Sequence, residues 1–228
     1  IGLEHLKVQL QEITSSAEGR GHFEIDLCHN YTRRIEEEPV VWHDPSIDPY
    51  WEQLTAALFH DHANIHITGI WIQNVEMRKE TVATLVRSLC DGRAINSIGI
   101  VNFINTNLCR EGVVLLSTLV EQSLHLVNLI ISHNRIDDTN SARCLSRALK
   151  THPDIESLTM LHCDLGNNPE ILSVILQSDV KHITLYHNNI DSSGAVKISE
   201  YLEGNSPVEY LGLDNNDFND DDAFLLSH

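Results

Sequence analysis

A repeated spacing of apolar residues constrains the fold of this chain more than any other feature of its sequence. Each copy has an apolar residue, further apolar residues three and five positions later, asparagine or cysteine at eight, and an apolar residue at ten. Four consecutive copies obey every position, and they run from Leu126 to Ile136, Ile155 to Leu165, Val180 to Ile190 and Val208 to Phe218. Self-similarity at a period of this length is typical of arrays in which each repeat is one supersecondary unit.

The earlier part of the chain follows the same spacing less closely. We predict unit starts at 22, 67 and 95, ahead of the four regular starts at 126, 155, 180 and 208. In the unit that starts at Ile95 the last apolar residue, Leu108, comes three residues late, which we interpret as a small bulge. Val75 and Phe103 then occupy the asparagine position of units two and three, so their turns are expected to be less regular.

The second half of each unit has apolar residues at helical spacing. Gly194-Ala195, for example, precede Ile198 and Leu202, which predicts one apolar stripe on a helix. A strand and a helix cannot bury their apolar faces alone, so the units must stack into a parallel sheet with helices on one side. Because a helix is wider than the strand spacing of about 4.8 Å, the stack must bend. We therefore predict an α/β fold, a right-handed solenoid or horseshoe with a concave parallel sheet and convex helices.

This pattern resembles the ribonuclease-inhibitor-like class of leucine-rich-repeat proteins. The resemblance lies in the leucine spacing, the asparagine or cysteine position and the Gly-Ala start of the helix, and it covers residues 22 to 226. It implies macromolecular recognition without naming a partner. The class includes Ran GTPase-activating protein, so a regulator of that kind is one alternative, although its catalytic motif cannot be matched residue by residue in this chain.

The chain divides into an N-terminal helix at 1–21, which is a cap or the remnant of a preceding repeat, and an array of about seven units at 22–228. The first unit is long because of an inserted loop at 33–50, which contains Pro39, Pro45 and Pro49. A proline-rich insert cannot extend the sheet. It either offers Trp42 to a partner or folds over the N-terminal end of the core. Because no polar C-terminal cap is visible, we expect a larger chain or assembly.

The charge of the chain narrows its choice of partner. Asp and Glu number 33 against 15 Lys and Arg, which gives a formal net charge of −18. Such a surface repels phosphate backbones and anionic lipid, so we expect neither nucleic acid binding nor membrane insertion, and favour a protein partner with a basic patch. The five cysteines are odd in number and lack a CxxC pair, which favours a reducing, cytoplasmic location. An organelle reached after removal of a targeting segment stays open.

Strand side chains alternate in direction, so the residues between the core positions should line the concave face. Large apolar groups there are the expected partner contacts, with an acidic group beside them: Trp71, Ile130, Leu161, Tyr186 and Asp214. One position further on, His133, His162 and His187 should lie on three neighbouring strands. They could bind a transition metal, form a pH-sensitive binding surface, or serve as exposed polar filler.

The sequence has no glycine-rich phosphate loop, GxSxG elbow or HExxH motif. We therefore assign no catalytic residue, cofactor or metal, and expect no enzyme. The leading hypothesis is a scaffold for protein–protein interaction that binds a macromolecular partner through its concave face. The alternatives are a GTPase-activating regulator and an architectural subunit of a large cytoskeletal or photosynthetic complex.

Overall fold

The computed structural model describes residues 2–18, 22–28, 41–59, 66–92 and 94–227. The strands form one parallel sheet in which each strand lies beside its neighbours in sequence, and this confirms the predicted α/β class. They are β1 (His22–Cys28), β2 (His66–Gln73), β3 (Ile100–Ile104), β4 (Asn128–Ser132), β5 (Ser157–Thr159), β6 (His182–Thr184) and β7 (Tyr210–Gly212).

Helices connect the strands and pack on one another in chain order. They are α1 (Gly2–Glu18), α2 (Asp48–Phe59), α3 (Lys79–Asp91), α4 (Arg110–Gln122), α5 (Thr139–Thr151), α6 (Pro169–Leu176), α7 (Ser192–Glu203) and α8 (Asp220–Leu225). Several begin at a capping side chain, because the first N–H groups of a helix need an acceptor. Asp138 accepts from the Ser141 N–H before α5, and Asp191 accepts from Ser193 and Gly194 in α7.

The core lies between the helices and one face of the sheet. The second apolar residues of the four regular units, Leu129, Leu158, Ile183 and Leu211, pair strand to strand from β4 to β7. The first three are fully buried, and helix residues such as Leu145 and Ile198 join them in one cluster. The repeated spacing therefore places equivalent residues side by side, so that each unit covers the apolar face of the next.

Asparagine side chains tie each unit to the one before it. Asn188 accepts from the Cys163 N–H at 2.8 Å and donates to the Met160 and Tyr186 carbonyl groups. Asn134 makes the equivalent bonds to Thr106 and Phe103 of the preceding unit, and Asn216 makes them to Asn188 and Leu185. Each amide thus satisfies buried backbone groups that the turn leaves unpaired. Cys163 takes this position in its unit, where its thiol donates to the Ile131 carbonyl.

The structure corrects the start of the third unit. Val101 pairs with Leu129 and Phe103 with Ile131, so the unit begins at Ile98 rather than Ile95, and the three-residue bulge before Leu108 does not exist. Phe103 is a buried strand residue. Thr106, rather than Phe103, occupies the asparagine position of this unit, where its N–H and hydroxyl donate to Asn134. The error arose because Ile95, Ile98 and Ile100 imitate the template spacing three residues early.

The insert at 33–50 falls only partly within the described residues, because 33–40 lie outside them. Val41 forms a parallel β-bridge with Val75, which is more sheet contact than the proline content predicted. Helix α2 begins at Asp48, so the last residues assigned to the loop are helical. Val41 is buried and Tyr50 packs against the core, whereas Trp42 remains 49% exposed. This described part therefore lies over the core, apart from the indole of Trp42.

Two further findings concern membrane-spanning helices and disulfide bonds. Within the described ranges, no helix combines the length and apolarity that crossing a bilayer requires. Cys90, Cys109, Cys144 and Cys163 are all unbridged thiols.

Candidate protein-interaction surface

The strand residues that do not enter the core form the second face of the sheet, which we call the open face. Across β4 to β7 it consists of three rows that follow the register of the strands. The first row is Asn128, Ser157, His182 and Tyr210, the second is Ile130, Thr159, Thr184 and Gly212, and the third, just beyond the strands, includes Leu161, Tyr186 and Asp214. Apart from Gly212, these residues are half-buried or exposed.

Trp71 and Ile130 lie in one row of the open face. Trp71 pairs with Asn102 across β2 and β3, and Asn102 pairs with Ile130 on β4. The indole folds back along its own strand, since a Cβ added to Gly69 would overlap the six-membered ring of Trp71. Glycine at 69 therefore lets the aromatic plane lie along the sheet, where it is half-buried.

Tyr186 forms a flat aromatic surface at the C-terminal end of the open face. Its ring lies over Gly212 on the next strand, and its hydroxyl is 2.5 Å from that of Tyr210. The hydrogen bond to Tyr210, with a smaller contribution from the Asp214 charge, raises the pKa of Tyr186 to about 12. The phenol is therefore neutral at physiological pH, and both hydroxyl groups are held in place.

Acidic side chains surround this aromatic pair. Asp214 is exposed next to Tyr186, and the Glu209 carboxylate lies 3.8 Å from the His182 ring nitrogen. From 198 to the end, the sequence carries no Lys or Arg but has the following acids: Glu200, Glu203, Glu209, Asp214, Asp217, Asp220, Asp221 and Asp222. The C-terminal part of the chain is therefore strongly acidic, and it places Asp214 and Glu209 near the tyrosines of the open face.

The three histidines form a continuous stack. The ring centroids of His133 and His162 are 4.3 Å apart, and those of His162 and His187 are 4.4 Å apart. All three have positive φ, as do Asn74, Asn105 and Asn215 in the equivalent turns. Asparagine and histidine tolerate this left-handed conformation better than most residues. The turn after each strand therefore explains why these residue types recur there.

Burial, together with its stacked neighbours, lowers the pKa of His133 to about 4, and burial also lowers the pKa of His162. Both rings are therefore neutral at pH 7. The stack borders a shallow cleft of 560 Å³ shared with Arg135, Asp164, Asn189 and Asn215. Its parallel rings do not converge on a point, and the described residues include no group of three His, Cys, Asp or Glu side chains placed to hold a metal ion.

The structure thus brings together most of the residues singled out from the sequence. Ile130, Leu161, Tyr186 and Asp214 share the open face of β4 to β7, and the three histidines follow at its edge. Trp71 lies further along the same face, whereas Trp42 belongs to the segment that joins the sheet edge through Val41. The sequence reasoning missed Tyr210 and His182. Both lie one residue before the strand leucine or isoleucine, a position that also alternates outward and could have been read in the same way.

No known protein family and no curated protein matches the sequence. Among solved structures, the chain is similar to the tropomodulin C-terminal domain from Caenorhabditis elegans, with 15% sequence identity and a TM-score of 0.38. The match covers 78% of this chain and 89% of that domain.

Proposed function

We propose that this chain is an arc of a leucine-rich-repeat solenoid that binds a protein partner through the open face of its sheet and catalyses no reaction. Three features support the solenoid. The strands are parallel and lie in sequence order, the helices lie on the opposite side of the sheet, and a row of asparagine side chains, which we call the asparagine ladder, bonds one unit to the next. In a right-handed arc of this kind, the open face would be the concave wall. A wide, preformed wall suits recognition of another macromolecule.

The observation that carries this proposal is the Tyr186–Tyr210 pair. Protein interfaces draw most of their binding energy from a few anchors, and tyrosine is enriched among them. Tyr186 is half-buried on the floor made by Gly212, and its hydroxyl is fixed by Tyr210. A side chain that is already ordered loses little rotamer freedom on binding, which favours affinity. The pair therefore has the properties of an anchor before a partner arrives.

The charge around the pair defines the chemistry of the partner. Asp214 and Glu209 are exposed on either side of the tyrosines, and a Lys or Arg of the partner could pair with these carboxylates. The same cation could lie over a tyrosine ring, an interaction worth about 0.5–1 kcal/mol at exposed sites. We infer that the partner presents a basic segment to β6 and β7.

A site-specific photocrosslinker tests the proposal directly. The variant Thr184→p-benzoylphenylalanine places the reactive group on the open face, and Val196→p-benzoylphenylalanine places it on the exposed side of α7 as a matched control. In native extract we expect the first variant to crosslink one protein through a Lys- or Arg-rich peptide, with loss of the product on Tyr186→Ala. Crosslinks from position 196 alone, or products that persist in Tyr186→Ala, would overturn the proposal.

A further inference from the structure

Helix α5 differs from the rest of this acidic protein, because all of its charged residues are basic. It carries Arg143, Arg147 and Lys150 and has no Asp or Glu, although the chain has a formal net charge of −18. Every other described helix contains at least as many acidic as basic residues. The basic charge is therefore concentrated on one element rather than spread over the helical layer.

The three cations lie on one stripe of α5, because residues four and three positions apart share a helix face. The Arg147 and Lys150 side chains are 71% and 57% exposed. The opposite side of α5 buries Leu145, Ala148 and Leu149 in the core. The cations therefore take no part in core packing and line one side of a groove of 570 Å³ between α5, α6 and the end of α7, and the Arg147 guanidinium also reaches toward α4.

The stripe forms two ion pairs with neighbouring carboxylates of the protein, and both are weak and exchangeable. Arg147 lies 3.4 Å from Glu121 of α4, and Lys150 lies 2.5 Å from Asp179 after α6. Arg143 has no ion-pair partner among the described residues. Exposed pairs of this kind contribute only about 0–1 kcal/mol, since water and salt screen them. Carboxylates from outside can replace Glu121 and Asp179 at little cost.

The far wall of the groove supplies an apolar surface and a hydroxyl group. Val174 and the ring of Tyr201 line it and pack against the core. The Tyr201 hydroxyl is buried and lies beside Ser206, which lines the same groove. Burial also raises the pKa of Tyr201, so the group stays a donor.

We propose that this groove, lined by Arg143, Arg147, Lys150, Val174 and Tyr201, docks an acidic segment of a partner protein. Carboxylates of the segment pair with the stripe, and an apolar side chain covers Val174 and the ring of Tyr201. Nucleic acid and anionic lipid fit less well, because Glu121, Asp179 and Glu200 border the groove and the whole chain repels a polyanion. The surface goes beyond the proposed function, since it lies on the helical side and takes the opposite charge.

The test uses a fluorescein-labelled peptide of Glu-Glu-Leu triplets and its Gln-Gln-Leu counterpart, with binding followed by fluorescence anisotropy at low and high salt. We expect the acidic peptide alone to bind. The triple variant Arg143→Gln, Arg147→Gln, Lys150→Gln should weaken binding at least about tenfold and flatten its salt dependence. Val174→Ala, which removes part of the apolar wall, should weaken it by a smaller factor.

A matched variant separates the stripe from net charge. Lys79→Gln, Arg110→Gln, Lys197→Gln removes three cations from α3, α4 and α7, and it should leave binding within about twofold. Glu121→Gln with Asp179→Asn removes the competing carboxylates and should strengthen binding. Circular dichroism and denaturant unfolding confirm that each variant folds, and Tyr186→Ala should bind this peptide normally.

Several results would overturn the proposal. These are no binding of the acidic peptide to the parent protein, equal weakening by both triple variants, or equal affinity for the glutamine peptide. Competition by inorganic phosphate as strong as that of unlabelled peptide would instead indicate a small-anion site. A dimer in sedimentation experiments that the α5 triple variant alone dissolves would make a second copy of this chain the occupant.

Discussion

The ring of Tyr186 occupies the space that a side chain at Gly212 would fill: a Cβ added there would come within 2.5 Å of Tyr186 Cε1. The atoms in the way belong to a side chain that can turn, and Gly212 has no positive φ. Gly212→Ala should therefore displace the ring and break its hydrogen bond to Tyr210 without disrupting the sheet.

For Gly212→Ala we expect loss of the crosslinked product formed through position 184. The free energy of unfolding should change by no more than about 1 kcal/mol, since the core is untouched. Gly99→Ala is the control, because its added Cβ would meet nothing closer than 3.7 Å. Retention of the crosslink in Gly212→Ala would show that the ordered tyrosine pair is dispensable for binding.

Asn188→Ala tests the asparagine ladder. The side chain is fully buried, and its removal leaves the Cys163 N–H and the Met160 carbonyl without partners. We expect the free energy of unfolding to fall by about 2–4 kcal/mol, because unsatisfied buried groups lose their solvation as well as their bond. Denaturant unfolding measures the change. Asn140→Ala, at an exposed position in the first turn of α5, should cost less than about 0.5 kcal/mol.

The histidine stack should make stability depend on pH. The pKa of His133 is about 4 in the folded state, against 6.5 as its ordinary value. Between these values the unfolded chain binds a proton that the folded chain does not, so the free energy of unfolding falls as pH drops from 6.5 to 4. Allowing for the half-exposure of the ring, we expect a loss of about 1–2 kcal/mol.

His133→Asn isolates this contribution, because asparagine already occupies equivalent turns with positive φ at Asn74 and Asn105. The variant should lose less stability than the parent over the same pH range. NMR titration should place the His133 pKa below the ordinary value, with a rise on His162→Asn. Arg135 and Asp164 also face the stack. If the pKa of His133 changed on removal of Arg135 or Asp164 but not on removal of His162, the effect of the stacked ring would be contradicted.

Thiol reactivity should differ sharply between two cysteines. Burial raises the pKa of Cys163 to about 12, and its thiol donates to the Ile131 carbonyl. The thiolate is the reactive form, so we expect iodoacetamide to label the exposed Cys109 in the native protein and to spare Cys163 until unfolding. Peptide mapping by mass spectrometry measures both sites. Native labelling of Cys163 at the rate of Cys109 would mean that the ladder opens readily.

The fold of the four regular units could be predicted from residues alone. Each apolar position, and the asparagine or cysteine at eight, has one energetically reasonable place in a stacked strand and helix. Leu129, Leu158, Ile183 and Leu211 consequently align as expected. The third unit was misplaced because Ile95, Ile98 and Ile100 satisfy the same spacing, and local pattern cannot decide between two registers three residues apart. Only the pairing of Val101 with Leu129 resolves it.

The candidate surfaces, too, depend partly on the sequence alone and partly on the tertiary structure. Alternation along a strand is a local property, so the sequence alone determined that Ile130, Tyr186 and the three histidines leave the core. Which of these side chains touch one another depends on how neighbouring strands pair, and those strands are far apart in the sequence. The seat of Tyr186 on Gly212, its bond to Tyr210 and the groove beside Arg143 and Tyr201 exist only once the units are stacked. Periodicity fixes the direction of a side chain, whereas contact between units depends on register and on the space that each neighbour leaves.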